Sequence, residues 1–188
     1  MGRAMVYSAI GALVLDVDGV LTDGKLAYGG MDESGPGANE RVKVFHVQDG
    51  VAIKHWQQAG RQVAVLSGRQ SPLVEQRARE LGIETVFQGV TDKVRVFERI
   101  CTSFVLEPIY VAFMGDDLPD VPVMRRCGAA IAPANAVAAA KRVAHFITRR
   151  RGGDGAAAEA IEWLLRKQGR WVGWSIPPAQ PGATAVTV

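Results

Sequence analysis

The stretch ALVLDVDGVLTDGK, residues 12–25, places an apolar run directly before two aspartates, Asp16 and Asp18. A short apolar run that is bounded by turn residues is typical of a strand buried on both faces. Gly19 follows the second aspartate and lets the backbone turn tightly. The pattern therefore predicts a core strand whose carboxyl end delivers two carboxylates to one place.

Length and composition predict one folded domain that works in the cytoplasm. The chain has 188 residues, of which 48% are hydrophobic and 22% charged, and its formal net charge is +3. We expect no membrane span, since no apolar run approaches roughly 18 residues. Cys101 and Cys127 lack CxxC spacing and are expected to be reduced thiols. No aromatic residues alternate with the basic residues at positions 149–151, so nucleic acid is not an expected partner.

Further apolar runs alternate with helical segments along the chain. The runs QVAVL, ETVF, YVAFM and AAIA predict strands, and segments with helical patterns separate them. Apolar strands joined by helices imply a parallel sheet that is covered by helices on both faces. The predicted fold class is α/β, with a doubly wound parallel sheet.

The segment after the first strand predicts a β-hairpin. RVKVFHVQ, residues 41–48, alternates apolar and polar residues and follows a glycine-rich loop at residues 28–40. This pattern predicts a hairpin that projects from the core over about residues 24–47. Asp49 is then the expected N-cap of the next helix, and Thr91 is the expected N-cap of the helix that contains Lys93.

Polar residues follow four of the predicted strands. Ligands of an open parallel sheet bind beyond the carboxyl ends of its strands, so these residues are expected to meet at one edge. Five carboxylates there would repel each other, and a hard cation such as Mg²⁺ would relieve that repulsion. The residues are Asp16 with Asp18, Ser67 with Gly68, the turn at residues 88–89 that leads to Lys93, and Asp116 with Asp117 and Asp120.

The predicted edge contains the groups that phosphoryl transfer requires. Lys93 lies in the first turn of a predicted helix, where the helix dipole disfavours a cation by about 0.3–1 kcal/mol. A role of Lys93 in neutralising a bound phosphate explains this position. Ser67 and the backbone N–H groups of the following turn suit phosphoryl oxygens. One aspartate of the pair can attack phosphorus while the other moves the proton. A nucleotide-binding role has no support, because the sequence contains no P-loop and no GxGxxG after a strand.

Four motifs, in this order, resemble those of the haloacid dehalogenase superfamily of phosphotransferases: DVDGVLTDG, VLSGR, QGVTDK and MGDDLPD. FHVQDGVAIK and RRRGGDGAAAE resemble the 3-deoxy-D-manno-octulosonate 8-phosphate phosphatase branch of that superfamily. The resemblance covers roughly residues 9–170. It implies a Rossmann-like hydrolase domain over residues 1–170 without a cap domain. Residues 171–188 are then expected to be a tail that is poorly ordered or docks on a neighbouring subunit.

The resemblance also implies a role for each motif residue. Asp16 is the expected nucleophile and a Mg²⁺ ligand, and Asp18 is the expected acid/base, with its backbone carbonyl on the metal. Asp116 is the expected third ligand, with Asp117 and Asp120 close by. The residues expected to bind the transferred phosphoryl group are Ser67, Gly68, Lys93 and Gly19.

The implied substrate is a small phosphorylated sugar acid, either 3-deoxy-D-manno-octulosonate 8-phosphate or a related 2-keto-3-deoxy compound. The alternative is a nonulosonate 9-phosphate of the sialic acid type. Gln48 and Ala158 stand where the branch usually has arginines, which can clamp a carboxylate with two hydrogen bonds. Arg69 remains, and we assign it to substrate binding together with Gln48 and Asp49.

The resemblance finally implies a homotetramer. Relatives without a cap domain pack their hairpins together, and a neighbour's C-terminal segment covers the open site. Such a cover matters because an open site admits water.

A different class of function is a non-catalytic assembly domain, as in the phosphatase-like domains attached to some sialate cytidylyltransferases. The joint presence of Asp16, Asp18, Ser67, Lys93 and Asp116 favours the enzyme.

Overall fold

The computed structural model describes residues 7–27 and 42–171. Within these residues, strands and helices alternate along the chain. The strands are β1 (Ala12–Leu15), β2 (Gln62–Leu66), β3 (Thr85–Phe87), β4 (Val111–Met114), β5 (Ala129–Ala132) and β6 (Phe146–Ile147). The helices are α1 (Val47–Gln58), α2 (Pro72–Leu81), α3 (Lys93–Ser103), α4 (Val121–Met124), α5 (Ala138–Val143) and α6 (Ala156–Lys167). In this part of the chain, no helix has the length and apolar character needed to cross a membrane.

The strands form one parallel sheet in the order β3-β2-β1-β4-β5-β6. One hydrophobic cluster joins α1, α2 and α6 to one face of the sheet. A second cluster joins α3, α4 and α5 to the other face. The predicted doubly wound sheet is therefore confirmed. The strand order reverses beside β1, so the crevice between β1 and β4 is where ligands of this architecture bind.

Burial on both faces explains the unbroken apolar run of β1. Leu13 and Leu15 belong to one cluster, and Ala12 and Val14 belong to the other, and all four residues are fully buried. Because side chains of a strand alternate between its two faces, a central strand needs apolar residues at every position. The first polar side chain can appear only where the strand leaves the sheet, and that position is Asp16.

The expected N-caps of two helices are wrong. α1 begins before Asp49, because His46 caps it and its Nδ1 accepts a hydrogen bond from the backbone N–H of Gln48. Asp92, not Thr91, caps α3 and accepts a bond from the N–H of Arg95 at 3.1 Å. In each helix the cap is the side chain whose acceptor reaches an otherwise unpaired N–H of the first turn.

The predicted hairpin at about residues 24–47 falls mostly on residues 28–41, which lie outside the described residues. Its described flanks, 24–27 and 42–46, are not in regular secondary structure, and Val47 already belongs to α1. The hairpin itself stays a prediction. The expected tail also lies outside the described residues from position 172 onward.

Replacing Trp56 by alanine should lower the free energy of unfolding by about 3–5 kcal/mol, because it opens a cavity between α1 and the sheet. Trp56 is fully buried, and its indole N–H donates to the carbonyl of Gln62 at 2.9 Å. Lys54→Ala, an exposed position on the same helix, should change this free energy by less than about 0.5 kcal/mol. Urea unfolding measures both variants. A loss below about 1 kcal/mol for Trp56→Ala would contradict the packing described here.

Candidate active site

The carboxyl ends of β1, β2 and β4 and the start of α3 surround a cleft of about 490 Å³. The cleft collects most of the residues that the sequence predicts for the site, although they are distant from one another along the chain. The predicted residues that line it are Asp16, Asp18, Ser67, Gly68, Arg69, Lys93, Asp116, Asp117 and Asp120.

Three carboxylates crowd together at the floor of this cleft. Oxygens of Asp16, Asp116 and Asp120 lie within 4.8 Å of one another. Asp120 is fully buried, and both of its oxygens already accept hydrogen bonds, Oδ1 from Lys93 at 2.7 Å and Oδ2 from the N–H of Asp116 at 2.9 Å. By contrast, Oδ1 of Asp116 is buried and has no hydrogen-bond partner among the described residues.

Burial, and then crowding, make two of these carboxylates hard to ionise. Burial, and then the nearby charge of Asp120, raise the pKa of Asp16 to about 7. Burial, and then the charges of Asp16 and Asp120, raise the pKa of Asp116 to about 7. The chain alone therefore does not fully compensate the negative charge that it gathers here.

Lys93 supplies part of the compensation. Its Nζ lies 2.8 Å from Oδ2 of Asp16 and 2.7 Å from Oδ1 of Asp120, and the residue is only 7% exposed. Burial acts to lower the pKa of Lys93, but the two carboxylates outweigh it, and the pKa is raised. Lys93 is thus a permanent cation beside the expected nucleophile, at the first position of α3.

The donor set fits Mg²⁺. A hard cation takes carboxylate and carbonyl oxygens, and its charge would pair with the unpartnered oxygen of Asp116 and favour the ionised form of Asp16. Asp120 suits a supporting position, because its oxygens are engaged by Lys93 and by backbone N–H groups. The expected division between metal ligands and supporting aspartates stays a prediction.

Gly19 makes room for Asp116. Its backbone has a φ of +86°, and a Cβ at this position would lie 2.0 Å from Oδ2 of Asp116. A side chain here would therefore displace the carboxylate. This space requirement accounts for the glycine, whereas its expected contact with the phosphoryl group stays a prediction.

The turn after β2 is held by backbone bonds that leave it facing the cleft. The N–H of Ser67 donates to the carbonyl of Phe87 on β3 at 2.9 Å, and the Ser67 carbonyl accepts from Val90 at 3.1 Å. The Ser67 hydroxyl accepts from the N–H of Arg69 at 3.3 Å. A Cβ on Gly68 would meet only ordinary contacts, so no close approach among the described residues explains this glycine.

Asp18 stands apart from the carboxylate cluster. Its Oδ1 accepts a hydrogen bond from Nζ of Lys43 at 2.5 Å, and its Oδ2 lies 3.6 Å from Nε of Arg69. No role for Lys43 was predicted from the sequence. The available signal was a charged residue inside the alternating run RVKVFHV.

Gln48 and Asp49 lie outside the cleft. Gln48 and Ala158 line a separate pocket of about 450 Å³ between α1 and α6, and the guanidinium of Arg150 donates to the side-chain oxygen of Gln48. Asp49 is buried and accepts a bond from the N–H of Ala158 at 2.8 Å, and burial raises its pKa to about 6. Within one chain these residues therefore form a corner beside the site, and their role in substrate binding stays a prediction.

Asn135 is a second residue that the sequence analysis missed. Its Nδ2 donates to the carbonyl of Gly19 at 2.9 Å, and its Oδ1 accepts from the N–H of Gly152 at 2.6 Å. It follows β5, so the rule that polar residues collect after strand ends could have found it.

Comparison with known proteins places the chain in a family. A family model described as haloacid dehalogenase-like hydrolase matches residues 85–161. The 3-deoxy-D-manno-octulosonate 8-phosphate phosphatase of Escherichia coli (strain K12) is 39% identical over 158 residues, which are 84% of this chain and 80% of that protein. The chain belongs to the 3-deoxy-D-manno-octulosonate 8-phosphate phosphatase family of haloacid dehalogenase-like hydrolases.

Solved structures of similar proteins share the fold. A probable YrbI family phosphatase from Pseudomonas syringae pv. phaseolica 1448a is 42% identical with a TM-score of 0.83, covering 90% of this chain and 92% of that one. The 3-deoxy-D-manno-octulosonate 8-phosphate phosphatase from Moraxella catarrhalis is 32% identical with a TM-score of 0.82, covering 90% and 93%. That structure contains a magnesium ion, a phosphate ion and a 3-deoxy-D-manno-octulosonate molecule.

Mg²⁺ should raise the melting temperature more at about pH 8 than at about pH 5.5, because metal ligands must be deprotonated. Without metal, the pKa values of Asp16 and Asp116 lie near 7, above the ordinary value of 3.8. The folded state then binds more protons than the unfolded state between about pH 4 and pH 7, so these two groups lower stability as the pH rises through that window.

Thermal unfolding with EDTA or with Mg²⁺ at both pH values measures this effect. Asp116→Asn is the control, since the amide cannot ionise, and it should lose most of the stabilisation by Mg²⁺. Equal stabilisation at both pH values, or in this variant, would contradict the assignment of the metal site.

Proposed function

We propose that this protein is a Mg²⁺-dependent phosphatase that hydrolyses 3-deoxy-D-manno-octulosonate 8-phosphate or a related 2-keto-3-deoxy sugar acid phosphate. The observation that carries the proposal is the contact between Asp16 and Lys93, 2.8 Å apart at the floor of the cleft. It places a nucleophile beside a buried cation that can neutralise a phosphoryl group. The similarity to phosphatases of this substrate supports the choice of sugar acid.

The proposed reaction has two steps on Asp16. Its carboxylate attacks phosphorus, the bond from phosphorus to the sugar oxygen breaks, and Asp18 donates a proton to that oxygen. Asp18 then takes a proton from water while the water attacks the aspartyl-phosphate, which releases inorganic phosphate and restores Asp16. Each proton that leaves Asp18 in the first step returns to it in the second.

The remaining residues stabilise charge on the phosphoryl oxygens. Lys93 and the Ser67 turn would contact these oxygens, which carry most of the charge in the transition state. Asp16, Asp116 and the backbone carbonyl of Asp18 would hold Mg²⁺, which supplies positive charge for the same oxygens when it is bound. Because Oδ1 of Asp16 also accepts a bond from the N–H of Val17 at 2.7 Å, the nucleophile is held in one orientation.

A nonulosonate 9-phosphate is the second candidate substrate. Gln48 and Ala158 favour its inclusion, since they replace two arginines that are usual in the octulosonate branch. The guanidinium of Arg150 occupies the same corner by donating to Gln48. The corner therefore retains a cation that suits a carboxylate, although on a different residue.

We also propose that the protein forms a homotetramer through the flanks of the predicted hairpin. Exposed hydrophobic residues concentrate on those flanks and in the first turns of α1: Leu26, Val42, Val44, Val47 and Val51. We refer to these five residues as the apolar patch, and exposed apolar residues of this kind are typical of a protein interface. Assembly would also shield a site that no cap domain covers among the described residues.

The wild-type protein should hydrolyse 3-deoxy-D-manno-octulosonate 8-phosphate with Mg²⁺ and lose this activity in EDTA. Asp16→Asn should abolish turnover, because the amide is not a nucleophile. The matched control is Asp23→Asn, since Asp23 is exposed and forms an ion pair with the exposed Lys25. Phosphate release is measured on a panel of 2-keto-3-deoxy sugar phosphates that includes a nonulosonate 9-phosphate.

Preference for the nonulosonate ester would shift the substrate assignment to the second candidate. Absence of metal-dependent turnover on the whole panel, or turnover that survives Asp16→Asn, would favour the non-catalytic assembly domain.

Light scattering at micromolar concentration should give the mass of a tetramer. The double substitution Val44→Glu with Val47→Glu should reduce this mass, because it places charge in the apolar patch. Val105→Glu, at an exposed position after the end of α3, is the control and should leave the mass unchanged. A monomeric wild-type protein would contradict the proposal.

A further inference from the structure

Lys43 makes an unusual contact for a lysine. Its side chain is only 3% exposed, and its Nζ lies 2.5 Å from Oδ1 of Asp18. A lysine normally keeps its ammonium group in water and buries only its aliphatic stem. Lys25, on the other flank of the predicted hairpin, follows that rule with a side chain that is 86% exposed.

Burial gives the contact between Lys43 and Asp18 its strength. Removing an ammonium group from water is costly unless a carboxylate compensates it, and Asp18 supplies a carboxylate oxygen at 2.5 Å. Removing one partner of such a pair leaves an uncompensated buried charge, so the two side chains are constrained to stay together. The other oxygen of Asp18 faces Arg69 at 3.6 Å, so the carboxylate is held from two sides.

The contact of Lys43 is with a residue of the cleft wall. Asp18 and Arg69 are among the described residues that line the cleft, and Lys43 is not. Lys43 can therefore act on the reaction through Asp18, whose Oδ1 it contacts.

We propose that Lys43 is a positioning residue that orients the acid/base Asp18, an inference that rests on the proposed function. Lys43 holds Oδ1 of Asp18 away from the cluster of Asp16, Asp116 and Asp120. The carboxylate is thereby prevented from turning into that cluster, and Oδ2 remains at the edge of the cleft, where the leaving oxygen of the substrate would lie. The flank of the predicted hairpin thus contributes to catalysis, in addition to the assembly already proposed for it.

The basicity of the leaving group distinguishes the positioning of Asp18 from the loss of a sugar ligand and from the loss of general stability. A proton from Asp18 matters most for a basic leaving oxygen and little for a weakly basic one. Phenyl phosphate and p-nitrophenyl phosphate differ in that basicity but resemble each other in shape, and neither contains a sugar. Loss of a ligand of the sugar, or loss of general stability, would therefore affect the two esters equally.

The experiment compares kcat/KM of the full-length protein on these two esters, because this parameter reports on the step in which the leaving group departs. Lys43→Met should lower it about 30-fold for phenyl phosphate and less than about 3-fold for p-nitrophenyl phosphate. Asp18→Asn should show the same preference, and adding Lys43→Met to it should lower kcat/KM by less than about 3-fold more. Lys25→Met is the matched control and should leave both values unchanged.

Equal losses on the two esters, or losses that add in the double variant, would overturn the positioning role. Lys43→Gln is the second variant if the methionine variant does not fold, and it should show a smaller loss with the same preference for phenyl phosphate. A wild-type protein that hydrolyses neither these esters nor the sugar phosphates would instead refute the proposed function.

Discussion

Repulsion between carboxylates is the constraint on which the rest of this site depends. Asp16, Asp116 and Asp120 meet at the end of the sheet, where the buried cation of Lys93 pairs with Asp16 and Asp120. Burial is the largest cause of the raised pKa values of Asp16 and Asp116, and the charges of neighbouring carboxylates raise them further in spite of Lys93. The fold therefore gathers an excess of negative charge that a divalent cation can compensate.

Rigid backbone keeps the carboxylates close in spite of this repulsion. β1 and β4 are paired neighbours in the centre of the sheet, with Leu15 opposite Met114, so the residues that follow them cannot separate. The side chain of Asp120 accepts backbone N–H bonds from Asp116 and Asp117, which closes the turn after β4. Binding energy thus need not be used to assemble the site, which is the advantage of preorganised electrostatics.

The sequence predicted the parts of the site that follow from strand ends. Asp16, Ser67 and Asp116 each come directly after an apolar run, and parallel strands bring such positions to one edge. Lys93 was predictable because the helix dipole disfavours a cation at the start of a helix, and binding a phosphate explains its position there. The contacts of Lys43 and Asn135 were not predicted, because each depends on a loop path between distant segments. The cap at His46 escaped prediction because Asp49 is the better cap by residue type, whereas the backbone path places His46 at the start of the helix.

Asn135 has a consequence for how this protein can be modified. One amide links the turn after the nucleophile, through Gly19, to the loop before α6, through Gly152. A Cβ on Gly152 would also lie 1.9 Å from the carbonyl of Gly19, so the two backbones touch directly. An engineer who wishes to graft a different loop at residues 149–155, in order to alter selectivity, must therefore transfer Asn135 and the turn at Gly19 with it. The three segments are separate in the gene but form a single exchangeable unit in the folded protein.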